Sequence, residues 1–338
     1  MDRRSQILRH ITKTQRGIEV APWFAPLTPK RDGYDCRIID VFDKPTLLKR
    51  AQDDSAIPVS GHALLEDVDF VGSATMIAEL VPVANHGAFD YIVSSHNFEH
   101  LPDPIRFLQG CQKVLRPGGY LSMAVPDCRA CFDFFRPHTT LIEWLEAHAD
   151  QRSQPTRAQV FAMTANQSAL VREGKQLGAF ALDADATAVT CTGDLDATYA
   201  AWRATKPNAD YQDTHCSVMT PASFELLIRE CQHLGLLTFE IESISAPNGC
   251  EFYVHLVNRP NAPPAAIGKS TFQVDRTQLM HRIWNERATA SETGQRHVRW
   301  IRRLLAWLQS SERRTRHAIK RRWRGGAADK SGAKPKSS

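Results

Sequence analysis

The segment from Phe89 to Pro126 constrains the fold more than any other part of the chain. Tyr91-Ile92-Val93 is a short apolar, β-rich run of the kind that is buried in parallel sheets. Asp103 and Pro104 then supply an N-cap and a first-turn proline, and apolar residues recur after them at helical spacing. A Pro-Gly-Gly turn ends the helix before the next strand begins. The segment therefore predicts a strand–helix–strand unit whose crossover is long enough to join two parallel strands.

The sequence of this unit resembles class I S-adenosylmethionine (SAM) dependent methyltransferases, in the branch called methyltransferase type 11. In that family the fourth strand reads like FDYIVSSHNFEHL, and a helix and a turn like LRPGGYL lead to the fifth strand. The resemblance covers Phe89 to Asp127 almost without interruption. It implies an α/β fold with a doubly wound, Rossmann-like, seven-stranded sheet, methyltransferase activity, and SAM as the cofactor.

Two upstream segments, Gly17–Val20 and Tyr34–Asp40, are predicted to be the first and second strands. In doubly wound sheets, ligands bind at the carboxyl ends of the strands. Asp40 ends the second strand, where a carboxylate can accept hydrogen bonds from both ribose hydroxyls. The resemblance implies that the loop after the first strand also borders SAM, through the consecutive residues Glu19, Val20, Ala21 and Pro22.

This first loop departs from the family pattern at Ala21. The family has a glycine-rich loop here because the backbones of protein and cofactor approach each other closely. We expect alanine to fit at this position if its φ angle is negative. Pro22, Pro26 and Pro29 argue against a regular first helix.

The third and fourth strands complete the predicted cofactor edge. Asp67–Val71 is the candidate third strand, and the resemblance implies that Asp69 and the adjacent Phe70 border the adenine. For Asp69 a solvated loop acid is the alternative. Ser95 and His96 end the fourth strand and are expected to border the cofactor.

The closing elements of the sheet begin late, near residue 219. Thr220 caps a predicted helix, and Leu236–Ile244 and Phe252–Val257 then read as an antiparallel pair of strands. Residues 128–218 are therefore predicted to be a helical insertion, with helices around 139–149, 156–173 and 194–203. An insertion at the carboxyl end of the sheet lies over the cofactor crevice and can shape an acceptor pocket.

Asp213 and His215 are the candidate catalytic pair at the end of this insertion. They alternate along an extended segment, so both point to one side, and a histidine oriented by a carboxylate is the usual form of a general base. A purely structural pair is the alternative, and His96 is then the next candidate base. We expect His100 to fix its own loop by a hydrogen bond.

Two short segments resemble the family branch associated with bacterial surface-polysaccharide gene clusters. They are Pro29–Tyr34 and the acidic-x-His-Cys stretch Asp213–Cys216. The branch implies a small-molecule acceptor, a sugar or a glycan-linked hydroxyl.

The cysteines give no metal-site pattern. Of eight cysteines, only Cys128 and Cys131 form a CxxC pair, and neither a second pair nor histidines at ligand spacing follow. We therefore predict no metal. The first residues contain no apolar run of signal-peptide length, and no stretch has the length of a membrane span, so we expect a cytoplasmic, reducing location.

Charge divides the chain into two parts. Residues 295–338 carry 14 basic and 2 acidic groups, a net +12, whereas the other residues carry a net −7. We predict a methyltransferase domain over 1–260, a linker over 261–275, a basic amphipathic helical tail over 276–324 and disorder over 325–338. Residues 296–324 suit an anionic membrane surface, at the inner face of the membrane. An acidic partner and, on charge grounds, nucleic acid are other candidates for this segment. The plain alternative is a helix packed on the body with a solvated basic face.

Two other functions compete with methyl transfer to a hydroxyl. The first is a catalytically weak or inactive module of this fold that binds a partner or a membrane through its tail, which Ala21 and the prolines of the first loop favour. The second is a nucleic-acid methyltransferase. The sequence argues against it, because it lacks an Asn/Asp-Pro-Pro-Tyr/Phe type motif and a pair of catalytic cysteines.

Overall fold

A computed structural model describes residues 2–54, 57–205, 211–260 and 269–289. Ten strands lie within these ranges: β1 (Arg16–Val20), β2 (Asp35–Asp40), β3 (Phe70–Val71), β4 (Phe89–Ser95), β5 (Leu115–Pro126), β6 (Ser168–Arg172), β7 (Lys175–Leu177), β8 (Val189–Cys191), β9 (Phe239–Ile244) and β10 (Glu251–Asn258). Seven of them form the predicted sheet, in the order β3-β2-β1-β4-β5-β10-β9. The α/β fold class is therefore confirmed.

The described helices pack around this sheet or belong to the insertion. They are α1 (Arg3–Ile7), α2 (Lys44–Asp53), α3 (Val59–His62), α4 (Ile77–Leu80), α5 (Pro104–Val114), α6 (Leu141–Ala149), α7 (Arg157–Ala165), α8 (Leu195–Ala204), α9 (Pro221–His233) and α10 (Lys269–Thr289). None of the helices in these ranges has both the length and the apolar character needed to cross a membrane.

The predicted strand–helix–strand unit is β4–α5–β5. Asp103 caps α5, its Oδ1 accepting a hydrogen bond from the Arg106 N–H at 2.9 Å, and Pro104 occupies the first turn. β4 and β5 pair in parallel. The predicted Pro-Gly-Gly turn is instead the irregular first part of β5, where the register against β4 shifts. The unit encloses the largest cluster of buried apolar residues, which places the core under the β4–β5 crossover.

The topology sets where a ligand can bind. β1 pairs in parallel with β2 on one side and with β4 on the other. From β1 the chain proceeds outwards to β2 and β3, and then returns to the opposite side for β4 and β5. The switch point therefore lies between β1 and β4, at their carboxyl ends, where ligands of such sheets bind.

The closing part of the sheet follows the prediction. The Thr220 side chain caps α9 by accepting from the Ser223 N–H, and Pro221 occupies its first turn. β10 is antiparallel to both β5 and β9. The C-terminal strands therefore seal the β5 side of the sheet.

The insertion is not only helical, which corrects the predicted fold class in one respect. α6, α7 and α8 correspond to the three predicted helices, but α7 ends at Ala165 and does not reach residue 173. The chain instead forms an antiparallel sheet in the order β7-β6-β8. Glu173 and Gly174 form the turn between β6 and β7 with φ of 50° and 75°. A two-residue hairpin turn with both φ positive matches the twist of the strands it joins.

The predicted linker over 261–275 is wrong from Lys269 onwards, because α10 begins there. Arg276 Nε lies 2.6 Å from Glu230 Oε1, and the rings of Phe272 and His233 stack at 3.7 Å. The first compact unit of the chain accordingly runs to Glu286, and the second comprises Arg287–Ser338. Residues 290–338, with most of the predicted tail and the predicted disordered end, lie outside the described residues.

Candidate functional site

A cleft of about 590 Å³ opens at the carboxyl ends of β1, β2 and β4. Four of the residues predicted to bind the cofactor or to act in catalysis at strand ends line it: Val20, Ala21, Asp40 and His96. Asp213 also lines it, on the segment that returns from the insertion. The cleft has a β1–β2 end and a histidine end, the latter formed by the loop after β4 and by residues 211–213.

The backbone at Ala21 is in the left-handed region, with φ of 46°. The condition under which alanine was expected to fit, a negative φ, is therefore not met. The Ala21 N–H donates to the carbonyl of Ile39 at 2.8 Å, so pairing with β2 holds the residue there. This conformation costs an L-residue about 1–2 kcal/mol, whereas glycine adopts it freely. The loop thus keeps the shape that a glycine would give it, at the expense of strain.

Glu19 does not line the cleft, which corrects its predicted contact with the cofactor. Its carboxylate accepts hydrogen bonds from the backbone N–H groups of Leu27 and Thr28 at 2.6 and 2.8 Å, and from the Thr28 hydroxyl at 2.7 Å. Burial raises the pKa of Glu19 in spite of these donors. The residue instead anchors the far end of the first loop beneath the site.

Asp40 is in the predicted place, buried at the tip of β2 and lining the cleft. One carboxylate oxygen accepts from the Phe42 N–H at 3.1 Å. Burial raises the pKa of Asp40. Hydroxyl donors from a ligand would stabilise this partly desolvated carboxylate, as the sequence predicts for a ribose.

Four other predicted cofactor contacts are not among the residues that line the cleft: Pro22, Asp69, Phe70 and Ser95. Asp69 Oδ2 accepts from Lys30 Nζ at 2.6 Å and from the Ile38 N–H at 2.8 Å, so it fastens the β2–β3 edge. Phe70 packs against the main core. The Ser95 hydroxyl accepts from Arg3 at 2.7 Å. Each of these three side chains is committed to the protein itself.

The cleft suits SAM in the kinds of group it presents. Asn97 lines it with a buried amide oxygen, Oδ1, which no donor of the described residues reaches. This oxygen can accept a hydrogen bond from an ammonium group, and Asp40 can accept from ribose hydroxyls. Between them the walls are apolar, with Val20, Ile39 and Phe42, as a nucleobase requires.

His96 is positively charged at neutral pH. Burial by itself lowers the pKa of His96, but the hydrogen-bonded carboxylate of Glu251 and the carboxylate of Glu99, 3.6 Å away, outweigh burial and raise it to about 9. Its Nε2 lies 2.7 Å from Glu251 Oε2, and its backbone is held at a φ of 50°. A protonated imidazole cannot accept a proton, which argues against His96 as the reserve general base.

His215 is held by a carboxylate, but not by the predicted one. Its Nδ1 lies 2.5 Å from Asp133 Oδ2, whereas Asp213 Oδ1 lies 2.8 Å from His100 Nδ1. Asp133 is itself fixed by Arg136, whose Nη2 also donates to the His215 carbonyl at 2.9 Å. The alternation of residues 213 and 215 thus places them near one another, but each pairs with a different partner.

Two residues of the histidine end were not predicted as site residues. Asp133 was not singled out, and His100 was expected only to fix its own loop. Asp133 follows β5 within the insertion, and its only sequence signal is the arginine three residues later. His100, expected to be structural, lines the cleft, and its ring meets that of His215 edge-on at 4.6 Å. The histidine end is therefore built from three separate stretches of chain.

Glu99 lies at the centre of this end and is buried. Its Oε1 is 3.6 Å from His96 Nδ1, 3.8 Å from His100 Nε2 and 3.9 Å from His215 Nε2. Burial raises the pKa of Glu99, but the surrounding histidines outweigh it and lower the pKa below its usual value. The Glu99 carbonyl accepts from the N–H groups of Cys216 and Ser217, which joins this loop to the segment that returns from the insertion.

Comparison with known proteins finds a matching domain family and two relatives of similar sequence. Residues 27–123 match the family described as a methyltransferase domain. A ubiquinone biosynthesis O-methyltransferase from Colwellia psychrerythraea is 25% identical over 177 residues, which are 42% of this chain and 68% of the relative. Another from Caulobacter vibrioides is 35% identical over 63 residues, which are 19% of this chain and 25% of the relative.

Solved structures of methyltransferases also align with the chain, at low identity. A SAM-dependent methyltransferase from Methanosarcina mazei is 12% identical, with 75% of this chain and 96% of that chain covered and a TM-score of 0.37. One from Aquifex aeolicus is 10% identical, with 75% and 89% covered and a TM-score of 0.36.

Proposed function

The chain carries a class I SAM-dependent methyltransferase domain, and we propose that it transfers the methyl group to a hydroxyl of a small-molecule acceptor, a sugar or a glycan-linked compound. One observation carries the proposal: a single cleft joins a carboxylate suited to ribose, Asp40, to a histidine end with an exposed carboxylate, Asp213. The curated relatives support oxygen as the methylated atom, since both are named O-methyltransferases. The short resemblances at Pro29–Tyr34 and Asp213–Cys216 support the sugar class.

SAM supplies an electrophilic methyl group, and the chain's own residues bind and orient the reactants. Asp40 and Asn97 would hold the ribose and the ammonium group of the cofactor. We assign the acceptor hydroxyl to the histidine end, where Asp213 is 72% exposed and so within reach of a ligand. A hydrogen bond from the hydroxyl to Asp213 would align the oxygen for in-line attack, which is the main contribution of a protein to such a transfer.

His215 acts through its neighbours in this proposal and is not the group that contacts the acceptor. It is buried, its Nδ1 is taken by Asp133, and its Nε2 faces Glu99. Its ring supports that of His100, which holds Asp213. The predicted pair therefore stays a proposal in a changed form, with Asp213 nearest the acceptor and His215 as a positioning residue.

A panel of acceptors tests the proposal. The purified full chain is incubated with isotope-labelled SAM and either sugar-containing acceptors or simple phenols, and the methylated atom is identified by mass spectrometry and NMR. We expect label on a sugar oxygen. Label on phenols alone would contradict the acceptor class, and label on nitrogen would contradict O-methylation. SAM binding without transfer to any acceptor would favour the catalytically inactive module.

We also propose that residues 296–324 contact an anionic membrane surface. The support is the net charge of +12 over residues 295–338, together with interleaved apolar and tryptophan residues. The test compares the full chain with a version ending at residue 289, so that α10 is kept. Only the full chain should bind phosphatidylserine vesicles, and binding should weaken with salt because exposed charges are screened within about 10 Å at 0.1 M. Equal binding of the two versions would contradict it.

A further inference from the structure

The histidine end of the cleft has the arrangement of a metal site. Glu99, His100 and His215 each offer one ligand atom, and these atoms lie within 4.8 Å of one another. A zinc ion with bonds of about 2.0–2.1 Å and tetrahedral geometry needs ligand atoms about 3.3–3.4 Å apart. The observed separations of 3.8 and 3.9 Å from Glu99 Oε1 to the two imidazole nitrogens are too long for hydrogen bonds and close to that spacing.

The outer nitrogens of the two histidines provide an independent indication. His215 Nδ1 lies 2.5 Å from Asp133, and His100 Nδ1 lies 2.8 Å from Asp213. Metal-binding histidines nearly always have their other ring nitrogen against a carboxylate, a carbonyl or water, which fixes the tautomer and turns the free nitrogen to the metal. His215 is oriented in this way by its hydrogen bond to Asp133, while His100 Nδ1 lies close to Asp213 but outside hydrogen-bonding geometry. Both rings turn Nε2 towards the same carboxylate oxygen.

Three imidazoles surround the Glu99 carboxylate, but none is within hydrogen-bond distance of it. Both of its carboxylate oxygens are buried, and no donor of the described residues makes a hydrogen bond to either. A buried carboxylate without hydrogen bonds is costly, and such groups call for an ion or another partner. A divalent cation between Glu99, His100 and His215 would satisfy it.

We propose that Glu99, His100 and His215 bind a first-row divalent cation, with zinc preferred for this set of one carboxylate and two imidazoles. No short-spaced cysteine and histidine motif marks this site in the sequence. The three ligands come from two stretches of chain more than 100 residues apart. His100 lines the cleft, so a cation held by this residue would lie beside the acceptor end.

The role of the cation rests on the proposed function, although its binding does not. An acceptor hydroxyl at the open position would lose its proton more readily, because a bound cation lowers the pKa of a coordinated oxygen. This matters here because each nearby imidazole has both nitrogens facing carboxylates: His96, His100 and His215. None of them offers a free basic nitrogen to the acceptor.

Metal binding is measured on the full chain without a polyhistidine tag and without SAM. After chelator treatment and buffer exchange, the chain is titrated with Zn²⁺ and, separately, with Co²⁺, whose visible absorption reports the coordination geometry. We expect about one equivalent bound and a Co²⁺ spectrum of low coordination number. The isosteric Glu99→Gln and the smaller His215→Asn should weaken binding by at least about 100-fold, and Asp133→Asn by about 10–100-fold.

The control is His148→Ala, because His148 also pairs with a carboxylate, Asp103 at 3.2 Å, but lies outside the cluster. It should bind zinc as the wild type does. Circular dichroism checks that each variant is folded, and the Co²⁺ spectrum of the wild type decides the matter if the variants do not fold. Less than stoichiometric binding, an octahedral aqua-like spectrum, or equal affinity of wild type and Glu99→Gln would overturn the site.

A separate assay distinguishes failure of the site from failure of the proposed function. Methyl transfer is followed with and without the cation, and SAM binding is measured by calorimetry on both forms. Stoichiometric zinc with unchanged transfer after chelation would support the site and overturn its part in activating the acceptor. Transfer that needs the cation, with SAM affinity unchanged, would support both.

Discussion

Two histidines near β10, His96 and His255, have pKa values shifted in opposite directions. Glu251 and His255 are both on β10, and Tyr253 lies between them. At one end, Glu251 pairs with His96, whose pKa is about 9. At the other end, burial lowers the pKa of His255 to about 4. The difference teaches that carboxylates, not burial alone, decide whether an imidazole in this fold is charged.

The surroundings of the two histidines explain the contrast. His255 is hydrogen-bonded to the Ser122 hydroxyl at 3.0 Å and meets the ring of His10 at 4.9 Å, so its near neighbours are neutral or basic. His96 lies between Glu99 and Glu251. Backbone strain also occurs near His96. Ala21, Trp23 and His96 itself, at the carboxyl ends of β1 and β4, have positive φ. Strain and buried charge are thus concentrated where function is proposed, as is common at functional sites.

The largest expected effect is at the histidine end of the cleft, at Asp213. Asp213→Asn should lower turnover by about 10²-fold or more while SAM affinity stays unchanged, because an amide orients and polarises a hydroxyl far less well than a carboxylate does. The measurement is kcat with saturating SAM, alongside calorimetry. Asp150→Asn is the matched control, since Asp150 is also an exposed carboxylate of the insertion that pairs with an arginine. If both variants keep wild-type turnover, Asp213 has no part in the reaction.

His255 should instead govern how the stability of the fold depends on pH. Because the pKa of His255 is about 4 in the folded chain and about 6.5 when unfolded, the unfolded state binds more protons between these values. Its contribution is therefore fully present above about pH 6.5 and is lost as the pH falls towards 4. The loss is about 3 kcal/mol at most. Denaturant unfolding at several pH values should show a shallower acid slope for His255→Gln, and an unaltered slope would contradict the assignment.

A substitution at the β1–β2 end of the cleft should affect SAM binding alone. Asp40→Ala should weaken SAM binding by about 1–3 kcal/mol, the cost of leaving polar groups unpaired. Asp69→Asn is the control, because Asp69 fastens the β2–β3 edge and does not line the cleft. Calorimetry with SAM measures both. If Asp69→Asn weakens binding as much as Asp40→Ala, the cofactor lies closer to β3 than the cleft indicates.

The fold was largely predictable because its signals are local. Asp103-Pro104 and Thr220-Pro221 each mark a helix start within two residues, and Asp40 can be placed once β2 is recognised. The β6–β7 hairpin escaped because its turn, Glu173-Gly174, is not one of the usual strong turn pairs.

The histidine end of the cleft was not predictable for a different reason. Its contacts join residues that are distant in the sequence, such as His96 with Glu251 and Asp133 with His215. Alternation along one strand says which side a residue faces, but it does not say which other segment meets it. Asp213 and His215 are close in sequence, which favours pairing them. In the fold His215 pairs with Asp133 and Asp213 lies against His100.

The smallest expected effect tests whether strain at the cleft has a function. Ala21→Gly should stabilise the chain by about 1 kcal/mol, because glycine removes the penalty of the left-handed conformation and loses part of the gain to its greater freedom when unfolded. Ala74→Gly is the control, since Ala74 also lines the cleft but has no positive φ, and it should destabilise by about 0.5–1 kcal/mol. Denaturant unfolding measures both, and calorimetry then compares SAM affinity.

Stabilisation with unchanged or higher affinity would mean that the strain is only the consequence of having alanine there. Stabilisation with lower affinity would mean that Ala21 holds the loop in the binding conformation. A destabilised Ala21→Gly would contradict the left-handed backbone at this position, and with it the contrast between the two ends of the sheet.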